Sequence, residues 1–315
     1  MSNQRPSILL FGASTPSGAA CLALAKAQNR DVTVLGRSRP YDCPEEAFVS
    51  CDLAAKGWPS ACEENLQGVV VSFAPIWLLA PFLDLLCQID AKSRPNIKGV
   101  VACSSSSALT KRFAANRADR KLVQRLVNAE DRVELSCNVL NIPCSIIRPT
   151  LIYGKAGGYG DRNLSQLLNM MRRLPILAHP AESGLRQPIH AKQLAAAALH
   201  QSNQPKGPST RIFLGGDDCL PYETMLRRLQ DAAIREQPGD PAGRCRLVAL
   251  PSRLFHLLAA PLLPISPKTF EAVLRMQADL GPFTSVHELL GEDPIPFPMT
   301  PLALKSSRSS EGTLS

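Results

Sequence analysis

The sequence is poor in the residue patterns that indicate metal or disulfide chemistry. Its five histidines are scattered, and its ten cysteines include no C-x-x-C pair. Several cysteines lie inside apolar runs such as Val100–Cys103, where a free thiol serves as a small apolar side chain. The first residues, Met1–Pro6, contain no apolar leader. We therefore expect no metal site, and we expect a reducing compartment, the cytoplasm, as the location.

Long apolar runs and concentrated positive charge are also absent. No uninterrupted stretch reaches the roughly 18 apolar residues that span a bilayer, and the longest candidate, Leu254–Ile265, contains His256 and two prolines. The 35 lysines and arginines exceed the 27 acidic residues and give a formal charge of +8, but they are spread along the chain. These features disfavour an integral membrane protein and a nucleic-acid partner. A small anionic molecule is the partner that we expect.

A short apolar run, a glycine turn and a helix form the most informative stretch. Ser7–Phe11 has the composition of a buried strand, and Ala19–Lys26 has that of a helix. A strand that enters a helix in this way points backbone N–H groups and the positive end of the helix dipole at one spot. The pyrophosphate of a dinucleotide fits there. The residues predicted to hold it are Gly12, Ser14, Thr15, Pro16, Ser17 and Gly18.

The turn departs from the G-x-x-G-x-x-G pattern at its middle position. Thr15 stands where a second glycine would let the backbone approach phosphate closely. Two interpretations remain open. In the first, the Thr15 hydroxyl donates a hydrogen bond to the phosphate, which replaces the close contact between backbone and phosphate that a glycine would allow. In the second, the threonine weakens binding of the phosphate.

The second predicted strand, Asp31–Leu35, ends in a basic segment. Its last residue is followed by Gly36-Arg37-Ser38-Arg39, about 20 residues after the glycine turn. A carboxylate at this point would accept a hydrogen bond from the ribose 2′-OH of NAD, whereas an arginine pairs with the 2′-phosphate of NADP. Arg37 and Arg39 therefore favour NADP over NAD as the cofactor.

Strands and helices alternate through the first half of the chain. Further strands are predicted at 47–50, 68–73, 97–103 and 143–147, and helices at 76–89 and 117–141. This alternation predicts an α/β fold, a Rossmann-type doubly wound parallel sheet whose ligand lies at the carboxyl ends of the strands. We expect residues 1–150 to form this cofactor-binding core.

The second half of the chain has a looser pattern and more proline. Helices are predicted at 166–173, 191–201, 221–236 and 266–279, and strands at 187–190, 211–214 and 246–250. We expect residues 151–300 to form a smaller C-terminal substrate lobe, some of whose strands and helices return to the core. The serine-rich end, 301–315, is predicted to be disordered.

Further motifs follow the glycine turn in a fixed order: Asp52-Leu53, Phe73-Ala74-Pro75, Ser104–Ser106, Ile147–Gly154, Gln187–His190 and Leu214–Met225. Together they resemble the extended short-chain dehydrogenase/reductase superfamily, in its NAD-dependent epimerase/dehydratase (nucleoside-diphosphate-sugar epimerase-like) group. The resemblance implies that Asp52 and Leu53 contact adenine. It also implies that Phe73 and Ala74 lie beside the cofactor, and that Pro149 lies in a strand-and-turn signature near the nicotinamide.

The same resemblance implies a tyrosine that acts as general acid/base four residues before a lysine, with a serine that orients the substrate carbonyl. Ser106 corresponds to that serine. The helix 117–141 contains no tyrosine. In one register Lys121 keeps the lysine, and Arg117 takes the place of the tyrosine. Tyr153, in the signature after the sixth strand, completes the candidate catalytic residues.

A second register aligns Glu130 with the acidic residue that follows the lysine in many members of the group. It moves the tyrosine and lysine positions to about Leu122 and Leu126. Two functions remain open. One is an NADP-dependent, epimerase-like oxidoreductase acting on a carbonyl or hydroxyl carbon of a small substrate such as a nucleotide sugar. The other is a non-catalytic NADP(H)-binding redox sensor or assembly module. A homodimer through helix 117–141 is a further expectation.

Overall fold

The structure is a computed structural model that describes residues 5–54, 66–114, 116–203, 209–261, 270, 273, 275–300 and 302. Half of the predicted helix 266–279, and the predicted disordered tail apart from Leu302, lie outside these residues.

One eight-stranded parallel sheet forms the centre of the molecule. Its spatial order is β16-β13-β6-β5-β4-β1-β2-β3, and every neighbouring pair is parallel. The strands are Ile8–Phe11 (β1), Val32–Gly36 (β2), Phe48–Ser50 (β3), Gln67–Ser72 (β4), Asn96–Cys103 (β5), Cys144–Pro149 (β6), Thr210–Gly215 (β13) and Thr284–Ser285 (β16). The strand order reverses between β1 and β4, which is where ligands bind in doubly wound sheets. The predicted fold class is confirmed.

Helices cover both faces of the sheet, and the central strands are correspondingly apolar on both sides. Every residue of β1 is buried. Leu9 and Phe11 pack with helices Ile76–Gln88 (α2) and Arg117–Leu140 (α4). Their neighbours Ile8 and Leu10 pack on the other face with helices Pro16–Ala27 (α1) and Ala191–Ser202 (α6). Because helices cover both faces, the carboxyl ends of the strands form the open edge of the sheet.

The chain after residue 150 both extends the sheet and builds a lobe beside it. β13 pairs with β6, and β16 pairs with β13, so this half supplies the last two strands. A third apolar core lies in the lobe, where Leu164 and Leu168 pack with Leu226. Further helices within the described residues are Ser107–Thr110 (α3), Asn163–Arg173 (α5), Tyr222–Glu236 (α7), Ser252–Ala259 (α8) and a short helix at Val286–Leu290. Within the described residues, no helix combines the length and the apolarity needed to span a bilayer.

Four pairs of short strands lie outside the central sheet. They are Ile152–Tyr153 (β7) with Ile189–His190 (β12), Lys155–Ala156 (β8) with Tyr159–Gly160 (β9), Ile176–Pro180 (β10) with Arg246–Leu250 (β15), and Leu185–Arg186 (β11) with Leu220–Pro221 (β14). The β8–β9 hairpin matters for the site, because it brings the lobe over the carboxyl ends of the sheet.

Candidate functional site

Two adjoining compartments lie along the carboxyl edge of the sheet. The large compartment, of about 910 Å³, is lined by residues that follow β1, β4 and β5 and by the β9–α5 segment of the lobe. The small compartment, of about 240 Å³, is lined by residues that follow β1, β2 and β3. Ser14, Thr15 and Ala74 line both. The compartments therefore meet at the turn after β1, beside the point where the strand order reverses.

The two glycines of this turn are required by close backbone packing. Gly12 has a φ of +77°, and a Cβ there would lie 2.5 Å from the Ala74 nitrogen. A Cβ on Gly18 would lie 2.1 Å from the Gly12 oxygen. Both contacts are with backbone, which cannot rotate away as a side chain could. The glycines therefore let the turn pack against the end of β4 and let α1 begin directly behind the turn.

Thr15 closes the turn through both of its hydrogen-bonding capacities. Its hydroxyl donates to the Gly12 oxygen at 2.8 Å and accepts from the Gly18 N–H at 3.1 Å, which makes Thr15 the N-cap of α1. A hydroxyl has one proton, so the interpretation that Thr15 donates to a phosphate is not supported by this geometry. Pro16 has no N–H. Ser17 therefore supplies the first-turn amide of α1, and it lines the large compartment together with Ser14.

The two arginines after β2 take different positions. Arg37 is exposed and lines the small compartment. Arg39 does not line either compartment, and its Nη1 donates to the Cys43 oxygen at 3.1 Å. Asp52 and Leu53 also line the small compartment. Of these two arginines, Arg37 alone lines a compartment, and Arg39 hydrogen-bonds within the loop.

The wall that α4 contributes to the large compartment is apolar. Leu122 and Leu126 line it, whereas Lys121 is exposed and does not. One turn further on, Glu130 is fully buried; it accepts hydrogen bonds from the Ser104 hydroxyl and, at 3.0 Å, from Arg148 Nε. Residues four apart share one helix face, so the pairing of Glu130 fixes which face α4 presents. The geometry favours the second register over the one that contains Lys121.

Three further predicted residues lie outside the compartments. Tyr153 is 1% exposed, and its hydroxyl accepts a hydrogen bond from the Met299 N–H at 2.8 Å. Burial raises the pKa of Tyr153, so its phenol is neutral. Ser106 is the N-cap of α3, and its N–H donates to the Pro149 oxygen at the end of β6. Ser104 and Ser105 line the large compartment instead, with Phe73 and Ala74. The predicted catalytic residues Ser106, Tyr153 and Lys121, and the predicted cofactor contact Pro149, therefore line neither compartment.

The candidate site residues chosen from the sequence do not include the far wall of the large compartment. Tyr159, Asp161 and Arg162 line it from the lobe. Asp161 is buried and accepts hydrogen bonds from the Gly154 and Leu164 N–H groups at 3.0 and 2.8 Å. Burial raises the pKa of Asp161, against the lowering effect of these bonds. The one available signal was the pair of glycines at 157–158, which marks a hairpin but not its position over the sheet.

Trp77 also lines the large compartment from the first turn of α2, and the Arg125 guanidinium lies 4.3 Å from the centre of its ring. Cys103 lines the floor at the end of β5, and burial raises the pKa of its thiol, so it is not an activated nucleophile. Among the described residues, no three His, Cys, Asp or Glu side chains gather as a metal site would require.

Solved structures with this architecture are numerous, although no family model and no curated protein matches the sequence. A nucleoside-diphosphate-sugar epimerase from Staphylococcus aureus aligns with a TM-score of 0.59 at 16% identity, over 92% of this chain and 97% of its own. UDP-N-acetylglucosamine 4-epimerase from Bacillus cereus aligns with a TM-score of 0.55 at 16% identity, over 80% and 92%.

A third solved structure contains ligands. MoeE5, in complex with UDP-glucose and NAD, aligns with a TM-score of 0.56 at 13% identity, over 77% of this chain and 85% of its own. At these identities the similarity shows the fold. The resemblance predicted from the motifs is thereby confirmed for the fold: the structural neighbours of this chain include nucleotide-sugar epimerases, an NAD-dependent NDP-hexosamine 5,6-dehydratase and a protein solved with UDP-glucose and NAD.

Proposed function

We propose that the chain binds a nicotinamide dinucleotide across the two compartments, with its pyrophosphate at the turn between β1 and α1. The two compartments meet at a helix N-terminus, and this arrangement suits a molecule with two nucleoside halves and a diphosphate between them. Gly12 and Gly18 allow the close approach of backbone, and Ser17 supplies an amide of the first helical turn. When bound, the nicotinamide would supply hydride chemistry in the large compartment.

NADP is the form that the small compartment favours. Arg37 is exposed on its wall, and the segment that follows β2, Gly36–Arg39, contains no carboxylate to accept from a ribose 2′-OH. We expect NADP to raise the melting temperature of the protein more than an equal concentration of NAD. Arg37→Ala should erase that difference, and Arg39→Ala, the matched control, should leave it intact. Equal shifts with both cofactors in the parent protein would contradict this preference.

We further propose that the protein is an NADP(H)-binding module and does not use the tyrosine–lysine proton transfer that the resemblance implies. A single observation carries this proposal: Leu122 and Leu126 stand on the wall where that pair would lie. An alkyl side chain cannot donate a proton to a carbonyl oxygen or hold a phenolate. We expect saturable NADPH binding with no cofactor-dependent conversion of UDP-glucose. Steady conversion by the parent protein would refute the proposal.

A reductase is the second candidate, and a specific feature of the large compartment favours it. Ser105 and Tyr159, from opposite walls, both line the space beside the expected nicotinamide position. A serine hydroxyl can orient a carbonyl, and a phenol can supply the proton that accompanies hydride transfer. NADPH oxidation followed at 340 nm with a panel of small carbonyl compounds tests this candidate. If turnover is found, Tyr159→Phe should abolish it, while Tyr41→Phe, an exposed tyrosine elsewhere, should not.

A further inference from the structure

Part of the lining of the large compartment is apolar. Trp77 comes from α2, Leu122 and Leu126 come from α4, and Ile152 comes from β7. These apolar side chains therefore come from three different elements. None of the four accepts a hydrogen bond, and the indole N–H of Trp77 is their single donor.

Two of the polar side chains on the lining are already engaged within the protein. The Ser104 hydroxyl donates to Glu130 behind the wall. Asp161 accepts from the backbone of Gly154, Leu164 and Ser165. A sugar ring carries several hydroxyls, and each hydroxyl that is buried without a partner opposes binding. The walls therefore disfavour a sugar and favour a ring that is itself apolar.

The charge around this apolar space is positive. Arg162 is exposed on the lobe side, and among the described residues it has no ion pair with a carboxylate. On the opposite side the Arg125 guanidinium lies over the Trp77 ring. Asp161, the carboxylate on the lining, is held by backbone N–H groups. An acidic group on the ligand would meet the guanidinium of Arg162, which lines the compartment.

From these observations we infer that the large compartment binds a flat, apolar ring compound that carries an acidic group, and not a nucleotide sugar. The inference rests on the proposed dinucleotide site, because it concerns the space beside the nicotinamide. Leu122 is its main specificity determinant, since this half-buried side chain occupies the wall where a hydrogen-bonding residue would serve a sugar. Arg162 is the residue that selects for the negative charge.

Isothermal titration calorimetry tests the inference with 2-naphthoate, its uncharged methyl ester and UDP-glucose as probes, after saturation with NADP in the same cell. We expect 2-naphthoate to bind at least about tenfold more tightly than UDP-glucose and about fivefold more tightly than the ester. Arg162→Gln should remove the difference between acid and ester. Leu122→Asn should weaken both naphthyl probes about tenfold, and Val123→Asn, the next residue on the helix, should change neither.

The outcomes separate the two proposals. Absence of heat with NADP contradicts the dinucleotide site itself. Normal NADP binding followed by UDP-glucose binding as tight as that of 2-naphthoate overturns the inference alone. So does a Leu122→Asn protein that binds NADP and both naphthyl probes like the parent, because NADP binding would show that this variant is folded.

Discussion

The buried pair of Glu130 and Arg148 joins α4 to β6 and offers a quantitative test of the account. Glu130 is fully buried, and the Arg148 side chain is 12% exposed. Arg148 Nε lies 3.0 and 3.2 Å from the two carboxylate oxygens, and the Ser104 hydroxyl donates to the same carboxylate. Glu130→Gln keeps the shape of the side chain and removes its charge. The substitution therefore leaves a guanidinium with little solvent and no counter-ion.

The expected cost follows from these contacts. Removing one partner of a buried ion pair lowers the free energy of unfolding by about 3–5 kcal/mol. Two features put the expected cost for this pair near the lower end of that range. Ser104 can still donate to the amide oxygen of the glutamine, and the Arg148 guanidinium lies 4.8 Å from the centre of the Phe213 ring, which offers partial compensation. We expect a loss of about 3 kcal/mol.

Urea unfolding followed by circular dichroism measures this loss, with Glu134→Gln as the control on the same helix. Glu134 is 23% exposed, and its partner Arg211 keeps a second ion pair with Asp131 at 2.6 Å. The control should therefore cost less than about 1 kcal/mol. If Glu130→Gln costs no more than Glu134→Gln, the pair does not fix α4 against the sheet, and the preferred register loses its support.

Three further predictions concern the apolar wall, the lobe and the glycine turn. The double substitution Leu122→Tyr with Leu126→Lys should raise NADPH-dependent reduction of carbonyl compounds about 100-fold above the parent, because it introduces a general acid and a neighbouring cation. Neither single substitution should raise this rate. The Arg172 guanidinium donates hydrogen bonds to Asp240 and holds the pKa of that carboxyl below its usual 3.8. The stability from this bond is thus present above about pH 3.8 and lost as the pH falls below it, so urea midpoints should drop less steeply on acidification in Asp240→Asn than in the parent. Thr15→Ala should lower the free energy of unfolding by about 1 kcal/mol in urea unfolding, through loss of the N-cap, whereas Thr15→Ser should not.

Each of these predictions has an outcome that contradicts it. Parent turnover as fast as that of the double variant would mean that the leucine wall does not keep the cleft inactive. Parallel acid titrations of the parent and Asp240→Asn would remove Asp240 from the pH dependence. A Thr15→Ala protein as stable as Thr15→Ser would show that the hydroxyl does not cap α1.

The sheet could be predicted because its signals are local. The fully buried β1 reads as an apolar run in the sequence, and so does β4. Elements whose bounds depend on tertiary contacts were harder to predict. The predicted strand 187–190 shrinks to Ile189–His190, because Pro188 has no N–H for a ladder. The helix predicted from 166 begins at Asn163, since the Asp161 carboxylate accepts the N–H of Leu164 and of Ser165.

The candidate site was predicted in part, for a similar reason. Turn residues next to strand ends meet in any doubly wound sheet, and Gly12, Arg37 and Asp52 all line the small compartment. The rotation of α4 was not predictable, because each residue along a helix turns the side chain by about 100°. Lys121 and Leu122 are neighbours in the sequence, so a rotation of α4 by about 100° decides which of the two faces the compartment. The contact that sets this rotation joins residues far apart in the sequence.

A crystal structure of the protein soaked with NADP tests the central claim most directly. The account predicts diphosphate oxygens within hydrogen-bonding distance of the Ser17 N–H, with the 2′-phosphate beside the Arg37 guanidinium. Density for the cofactor anywhere other than the turn between β1 and α1, or a crystal that takes up no NADP at concentrations that saturate the solution assays, would contradict it.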